Sequence, residues 1–354
     1  MARPKTFIIA EAGVNHNGSV DLARRLIDEA AAAGADAVKF QAFRAEKLVS
    51  ARAPKADYQR VTTAEGESQH AMLERLQLAP RDFADLAAHA RARGIEFMST
   101  PFDEESLGLL VELGVGRLKL GSGDITHRPL LEAAARTALP LILSSGMSTL
   151  GDIEDALGVL ASTYLAKALR PRDALSSDEG HAALVSRVSL LHCTTEYPAP
   201  IEETNLRAIE TLARAFGLPV GYSDHTDGLV ASIAAVALGA SIIEKHFTTD
   251  KALPGPDHRA SLAPAELGEL VRSIRAVELA LGDTRKRVGS AERRNVDAAR
   301  RSIVARVPIA AGTRFVADML AMKRPGGGLS PMRVEELIGH IATRDYAVDD
   351  AIEL

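Results

Sequence analysis

The sequence predicts a closed parallel (β/α)8 TIM barrel over residues 1–283, a linker over 284–298 and a small β-rich domain over 299–354. Three observations carry this. Short β-branched runs alternate eight times with longer stretches of helical periodicity, the signature of consecutive βα units around a parallel sheet. Eight units in about 280 residues suit a closed barrel better than an open doubly wound sheet, and no Gly-x-Gly-x-x-Gly follows the first run. Beyond Gly282 the pattern breaks into a basic, polar stretch and then into short strands.

The expected barrel strands are Phe7–Gly13, Ala35–Gln41, Ile95–Thr100, Arg117–Ser122, Leu141–Gly146, Val188–Thr194, Val220–His225 and Ser241–Phe247. Helix starts are marked by Asp103 before Glu104-Glu105, by Asp152 before Ile153 and by Pro264, because a first turn tolerates proline and favours acidic residues. Gly34, Gly94, Gly114 and Gly239 follow helical runs, where a left-handed cap favours glycine. The stretch from Ala42 to Gln77, with Tyr58, Thr62 and Thr63, is too long for a simple βα turn and is expected as a long loop over the barrel mouth. In the last domain the expected pieces are a strand Ser302–Val307, a turn at Ala311-Gly312, a strand Met319–Lys323, the run Pro325-Gly326-Gly327-Gly328 and a short helix near Glu335–Ile338. A domain of about 55 residues lies near the lower limit for folding alone, so it is expected to lean on a partner surface.

Composition excludes several function classes. A net charge of −5 with dispersed basic residues and 4% aromatics offers no field for nucleic acid. The longest apolar stretch, near Leu229 to Ala240, falls well short of the roughly 20 residues that span a bilayer, so no membrane segment is expected. One cysteine, Cys193, cannot pair within the chain, and the N-terminus enters a strand without a signal-type apolar region, so a cytoplasmic protein is expected.

Active sites of such barrels lie at the C-terminal ends of the strands, and those ends are rich in polar groups. Glu11 ends the first, Lys39 and Gln41 the second, Ser99 and Thr100 the third, and Lys119, Ser122 and Asp124 the fourth. Ser144 and Ser145, then His192 to Tyr197, Ser223 to Thr226 and Glu244 to Phe247 complete the ring. His225 and His246, at the ends of adjacent strands, can converge on one ion that manganese, iron, cobalt or zinc would fit, or each can hydrogen-bond locally. Lys39, Lys119 and the hydroxyls suit an anionic phosphate or carboxylate, whereas lone lysines at strand ends are commonly solvated or salt-bridged. Glu11 and Asp124 can move a proton or orient water, or pair with the lysines.

These strings, in this order, resemble the sialic acid synthase family, the phosphoenolpyruvate-dependent nonulosonate synthases. The likeness runs through Ile8 to Gly18, Ala37 to Gln41, Ser99 to Phe102, Lys119 to Asp124, Leu143 to Met147, His192 to Pro198, Gly221 to Thr226, Ile243 to Phe247 and Gly255 to His258, and continues in Arg301 to Ile303 and Lys323 to Gly326. The resemblance implies condensation of phosphoenolpyruvate with N-acetylmannosamine, or a close derivative, and water to give an N-acetylneuraminate-type acid and phosphate; the alternative is a legionaminic acid synthase acting on 2,4-diacetamido-2,4,6-trideoxymannose. It implies His225 and His246 as ligands of a divalent metal, manganese first with magnesium or cobalt as other candidates, and Glu11 beside that metal. Lys39, Thr100, Lys119, Ser122, Ser144 and Ser223 would hold phosphoenolpyruvate, and Asp124, Tyr197 and Asp257 would line the sugar side. The last domain resembles the family's antifreeze-like (SAF) domain, which implies a domain-swapped homodimer in which Arg324 closes the partner's site over the sugar N-acyl group.

Two departures bear on these expectations: Asp124 stands where the family often has glutamate, and Ser145 where it often has threonine. The stretch Pro54 to Gln59 with Ser68-Gln69 fits members making either neuraminic or legionaminic acid, while Gly255 to His258 argues against the pseudaminic branch. Two remoter readings stand beside this one: a Schiff-base pyruvate aldolase using Lys39, Lys119 or Lys245, and a non-enzymatic sugar-binding scaffold.

Overall fold

A computed structural model describes residues 5–50, 53–55, 66–166, 169–324 and 327–354. The chain divides into two compact units, Met1–Gly282 and Asp283–Leu354.

The first unit is a parallel eight-stranded barrel: β1 Phe7–Gly13, β2 Ala37–Ala42, β3 Glu96–Pro101, β4 Leu118–Leu120, β5 Leu141–Ser144, β6 Val188–Cys193, β7 Val220–Asp224 and β8 Ile242–His246. The ladder runs β3-β2-β1-β8-β7-β6-β5-β4, and β3 packs beside β4 to close the ring. Each strand overlaps its expected run, most being shorter by one to three residues at an end.

Alternation along the strands creates two cores. Outward residues such as Ile8, Ala10, Val38 and Phe40 pack under the helices, while Ile9, Ala37, Met98, Ile142, Leu191 and Ile242 fill the barrel interior. The bottom is plugged by Phe7, with the Arg117 guanidinium 4.1 Å above its ring and held by both Glu96 oxygens at 2.7 and 3.0 Å. Each buried Ile, Val, Leu or Met side chain among these contributes roughly 1.5–3 kcal/mol. The dry plug leaves a polar floor at the opposite, C-terminal end of the strands.

Helix caps follow local chemistry. Ser19 accepts from Leu22 N at the start of helix Val20–Ala33, and Asp103 accepts from Ser106 N at the start of Glu104–Glu112. Asp152 proves not to begin its helix: Thr149 does, with Asp152 returning a bond to Thr149 N in a capping box. Gly34 and Gly94 take φ of 81° and 72° at helix ends, as a left-handed cap requires.

The expected long mouth loop is not irregular at its ends. Helices Ala45–Leu48 and Gln69–Leu76 bound it, and Met72, Leu73 and Leu76 pack with Val14 and Phe43 into a small core of their own. Tyr58, Thr62, Thr63 and most of the 54–59 stretch lie outside the described residues.

In the second unit β9 Ser302–Ala305 pairs antiparallel with β10 Leu320–Lys323, and a helix spans Val334–Leu337. Ile303, Ala305, Ile309, Phe315, Leu320, Leu329, Leu337, Ala342, Tyr346 and Ile352 form its core. The segment expected as a linker carries a helix, Ser290–Ala299, none of whose residues is buried. Among the described residues no helix is long and apolar enough to cross a membrane.

Candidate active site

Register sets the site. Glu11 on β1 lies level with Lys39 on β2 and with His246 on β8, Gln41 is level with Thr100 on β3, and Ser223 on β7 is level with Glu244 on β8. Because inward positions recur every second residue, Lys39 and Gln41, Ser223 and His225, and Glu244 and His246 all face the mouth.

They meet in a cavity of about 160 Å³ lined by Glu11, Lys39, Gln41, Thr100, Lys119, Ser122, Ser144, Cys193, Thr195, Tyr197, Ser223, His225, Glu244 and His246, among others. Ten of the thirteen expected site residues are in that lining, since Asp124, Asp257 and Arg324 are absent from it. Asp257 lies beside it, Oδ2 being 3.9 Å from His246 Nδ1. Asp124 ends the 3-10 turn Ser122–Asp124 with a buried Oδ2 that has no hydrogen-bond partner. Arg324 belongs to the second unit, where it is exposed.

One half of the cavity is cationic. Lys39 Nζ lies 2.7 Å from Glu11 Oε2, 3.6 Å from Glu244 Oε2 and donates to Thr100 Oγ1 at 3.0 Å. Lys119 Nζ lies 3.4 Å from Glu244 Oε1, which also accepts from Ser223 Oγ at 2.8 Å. Burial pulls the Lys39 pKa down, but Glu11 and Glu244 beside it outweigh that and hold it above the usual lysine value. Lys119 is pulled below the usual value by burial, against the attraction of Glu244 and with the repulsion of Lys39. Glu244, resisting burial through Lys119 and Lys39, falls to about 2, whereas burial pushes Glu11 up to about 7 despite Lys39. Two carboxylates in one site thus divide into a fixed anion and a group that titrates near neutrality. Burial likewise raises Asp124 and Asp257 to about 6.

The other half is aromatic. The rings of His225 and His246 sit 5.5 Å apart, and Tyr197 stacks on His225 at 4.1 Å. His225 Nδ1 donates to Thr194 O at 2.7 Å, which leaves the Nε2 lone pair for a ligand. Burial pulls the His225 pKa down, but the Cys193 sulfur, 3.7 Å from Nδ1, and the bond to Thr194 O outweigh it and hold it above the usual histidine value. His246 is driven well below the usual histidine value by burial, by His225 and by Lys39, so its ring is neutral, and its buried Nδ1 has no hydrogen-bond partner. Ser144 Oγ and Thr195 Oγ1 are buried without partners too, so the cavity wall holds several polar groups whose hydrogen bonds a ligand would complete. Gly146 keeps this wall open, since a Cβ there would come within 2.2 Å of Thr195 Oγ1 and 2.8 Å of Ser122 Oγ.

Sequence reasoning counted Glu244 in the polar ring but gave it no role, although it unites the two lysines; its signal was the inward parity it shares with His246 two residues on. It also weighed Lys245 as a Schiff-base amine, whereas that side chain points away from the mouth and pairs with Asp224 at 3.1 Å.

A polar clip at the rim joins the loops after β1 and β8. Asn15 Nδ2 donates to Phe247 O and Ser261 Oγ, Asn17 Nδ2 donates to Pro254 O, and His258 lies between Thr248 Oγ1 at 2.7 Å and Asn17 Oδ1 at 3.2 Å. Gly255, at φ 153°, is confined there, because a Cβ would come within 2.7 Å of His258 and 2.8 Å of Asn17. His16, whose Nδ1 accepts from Gly18 N, is also buried, and burial lowers both histidines to about 4. A histidine that is neutral when folded and has an ordinary pKa near 6.5 when unfolded contributes stability that is complete above pH 6.5 and is lost as pH falls toward 4. The His16 share alone is roughly 3 kcal/mol. Thermal melts are therefore expected to fall steeply from pH 6.5 to 4 and to fall less steeply in His16→Gln; equal slopes would reject this account.

The NeuB family model matches residues 26–286, and the SAF domain model matches residues 300–352. The chain belongs to the NeuB family. It is 48% identical to the N,N'-diacetyllegionaminic acid synthase of Campylobacter jejuni, over 98% of this chain and 99% of that one. It is 44% identical to the protein of the same name from Legionella pneumophila, over 94% and 89%. Among solved structures it is similar to the N-acetylneuraminic acid synthetase of Leptospira borgpetersenii, crystallised with citrate, at 35% identity and a TM-score of 0.68, covering 83% and 91%. This NeuB family member is a TIM-barrel enzyme with a C-terminal SAF domain, of the phosphoenolpyruvate-dependent, carbon–carbon bond-forming class.

Proposed function

We propose that the protein condenses phosphoenolpyruvate with the open-chain aldehyde of 2,4-diacetamido-2,4,6-trideoxymannose and water, giving a legionaminic-type nonulosonate and phosphate. The arrangement that carries the chemistry is the Lys39–Glu244–Lys119 cluster facing the two imidazoles of His225 and His246 across one small cavity. The choice of sugar is supported by the names of the Campylobacter and Legionella relatives; N-acetylmannosamine, put first on sequence alone, becomes the second candidate.

Lys39, Lys119, Ser122, Ser144 and Ser223 bind the phosphate and carboxylate of phosphoenolpyruvate, with Thr100 orienting Lys39. The enol C3 attacks the aldehyde carbon, water adds at C2, and the tetrahedral intermediate expels phosphate with carbon–oxygen cleavage. The lysines offset negative charge on the departing phosphate. Glu11, titrating near neutrality, passes a proton between the attacking water and the new hydroxyl. Tyr197, Asp124 and Asp257 position the sugar.

The donor set fits a divalent cation: two buried imidazoles, one with an orphaned nitrogen and the other with its tautomer fixed by Thr194. No group of three or more His, Cys, Asp or Glu poised to ligate occurs among the described residues, so His225 and His246 leave the remaining positions to water and substrate. When bound, such an ion, manganese by preference, supplies Lewis acidity to a carbonyl oxygen.

Phosphate release from phosphoenolpyruvate is expected only with sugar and divalent metal together, faster with the diacetamido sugar than with N-acetylmannosamine. Undiminished release under excess chelator, or without sugar, would refute the reading. In a domain-swapped homodimer Arg324 reaches the partner's sugar, so Arg324→Ala should raise the KM for sugar roughly tenfold, the loss of about one charged hydrogen bond, and leave that for phosphoenolpyruvate nearly unchanged. Equal changes in both constants would contradict that arrangement.

A further inference from the structure

Directly behind the two imidazoles, on the outer face of the barrel, lies a buried ion pair that the chemistry above does not use. Asp224 and Lys245 are 0% and 1% exposed and 3.1 Å apart, in a layer where their neighbours Tyr222, Ile243 and Phe247 pack under the helices. The pair is fully tied in: Asp224 Oδ1 accepts from Thr226 N and Thr226 Oγ1, both at 2.8 Å, and Oδ2 accepts from Ser232 Oγ at 2.6 Å. Lys245 Nζ donates to Thr226 O at 2.5 Å.

Taking two charges out of water costs several kcal/mol each, and a well-packed apolar pair is often as stable. Stability alone therefore gives no reason for an Asp and a Lys at these positions. Placement does. Asp224 and Lys245 are Cα partners, and theirs is the last paired position of the β7–β8 ladder. Each immediately precedes a histidine of the site, so the backbone ladder ends one residue before His225. A side chain pinned outward fixes the pleat that aims the next one inward.

We propose that the Asp224–Lys245 pair is a positioning device that sets the separation and tilt of the His225 and His246 rings. Its functional meaning rests on the metal-binding reading of those rings. The pair continues the tie between β7 and β8 after the backbone bonds stop, and through Thr226 and Ser232 it anchors the far side of His225 to helix Val230–Ala237.

The test is the double variant Asp224→Asn/Lys245→Met, in which the amide oxygen still accepts from Thr226, the amide nitrogen can donate to Ser232 Oγ, the thioether keeps the stem volume, and no lone charge is left buried. In the folded double variant, Mn2+ titrated by paramagnetic resonance is expected to bind about 10- to 100-fold more weakly than in wild type, as when second-layer partners of metal ligands are removed. KM for phosphoenolpyruvate should change less than twofold. Unchanged Mn2+ affinity, even with a lowered melting temperature, overturns the proposal, because it leaves the pair a merely structural role. Should the wild-type protein itself bind no Mn2+, the metal reading fails, and a crystal structure of the double variant decides the positioning: an altered ring separation upholds it and retention of the 5.5 Å spacing overturns it.

Discussion

His225→Ala is expected to abolish turnover, with kcat down by on the order of 10³-fold or more, while the folded barrel persists. The expectation follows from what the ring does. Its Nδ1 is spent on Thr194 O and its Nε2 is turned into the cavity, so the lost group is a lone pair at the reaction centre rather than a strut of the fold. If that lone pair holds an ion that offsets charge on the developing alkoxide, several kcal/mol of transition-state stabilisation go with it, and each 1.36 kcal/mol is about tenfold in rate. The structural cost is smaller: Tyr197 loses a stacking partner and Cys193 a neighbour, while β7 keeps its ladder to β6 and β8. His192→Ala is the matched control. That histidine stands on the adjoining strand, donates to Thr204 O and is absent from the cavity lining, so activity should survive within a few fold. Full activity in the His225 variant would remove the two-histidine site from the mechanism.

The barrel was legible because parallel strands buried on both faces read as continuous apolar runs, and the glycine signals and the helix starts at Asp103 and Pro264 fell where eight βα units need them, the start read at Asp152 lying three residues late. Polar residues at the strand ends then marked the mouth without any structure. What the sequence could not show was which way each one faces at a strand end. Lys245 and His246 are neighbours in sequence and lie on opposite sides of the barrel wall, and the choice between them is settled by a register that several strands fix together. Glu244 was named in the ring but given no role for the same reason. The helical ends of the 42–77 segment were missed because short helices carry little periodic signal; their support is the tertiary packing of Met72 and Leu76 on Phe43. Asp124 shows a different limit: the sequence set it at a strand end, whereas it closes a 3-10 turn and is absent from the cavity lining, a geometry that no residue pattern announces.

The second large effect is expected from Lys39→Met, which should lower kcat/KM for phosphoenolpyruvate roughly 10³-fold and leave the KM for sugar within a few fold. Lys39 is the hub of the cationic half of the site, within 2.7 Å of Glu11, 3.6 Å of Glu244 and 3.0 Å of Thr100. Held above the ordinary lysine pKa, it is a cation rather than a free amine, which suits phosphate binding and disfavours a Schiff base. Methionine preserves the length of the stem but removes the charge, and three consequences reinforce one another. A donor to the phosphate disappears. Glu11, already near 7, is pushed higher and stays protonated at neutral pH, so it no longer takes a proton from water. Glu244 retains Lys119 alone and repels the incoming anion more strongly. Breaking a buried pair also costs about 3–5 kcal/mol of stability, so the melting temperature must be measured beside the kinetics. The discriminating comparison is with borohydride and pyruvate: an imine-forming enzyme would lose trapping in this variant after showing it in wild type. A condensing enzyme built on electrostatics shows no trapping in either, and its loss appears in the constants for phosphoenolpyruvate. If the KM for sugar rose in parallel instead, the division of the cavity into a cationic donor half and an imidazole-lined acceptor half would be wrong, and with it the direction in which the two substrates meet.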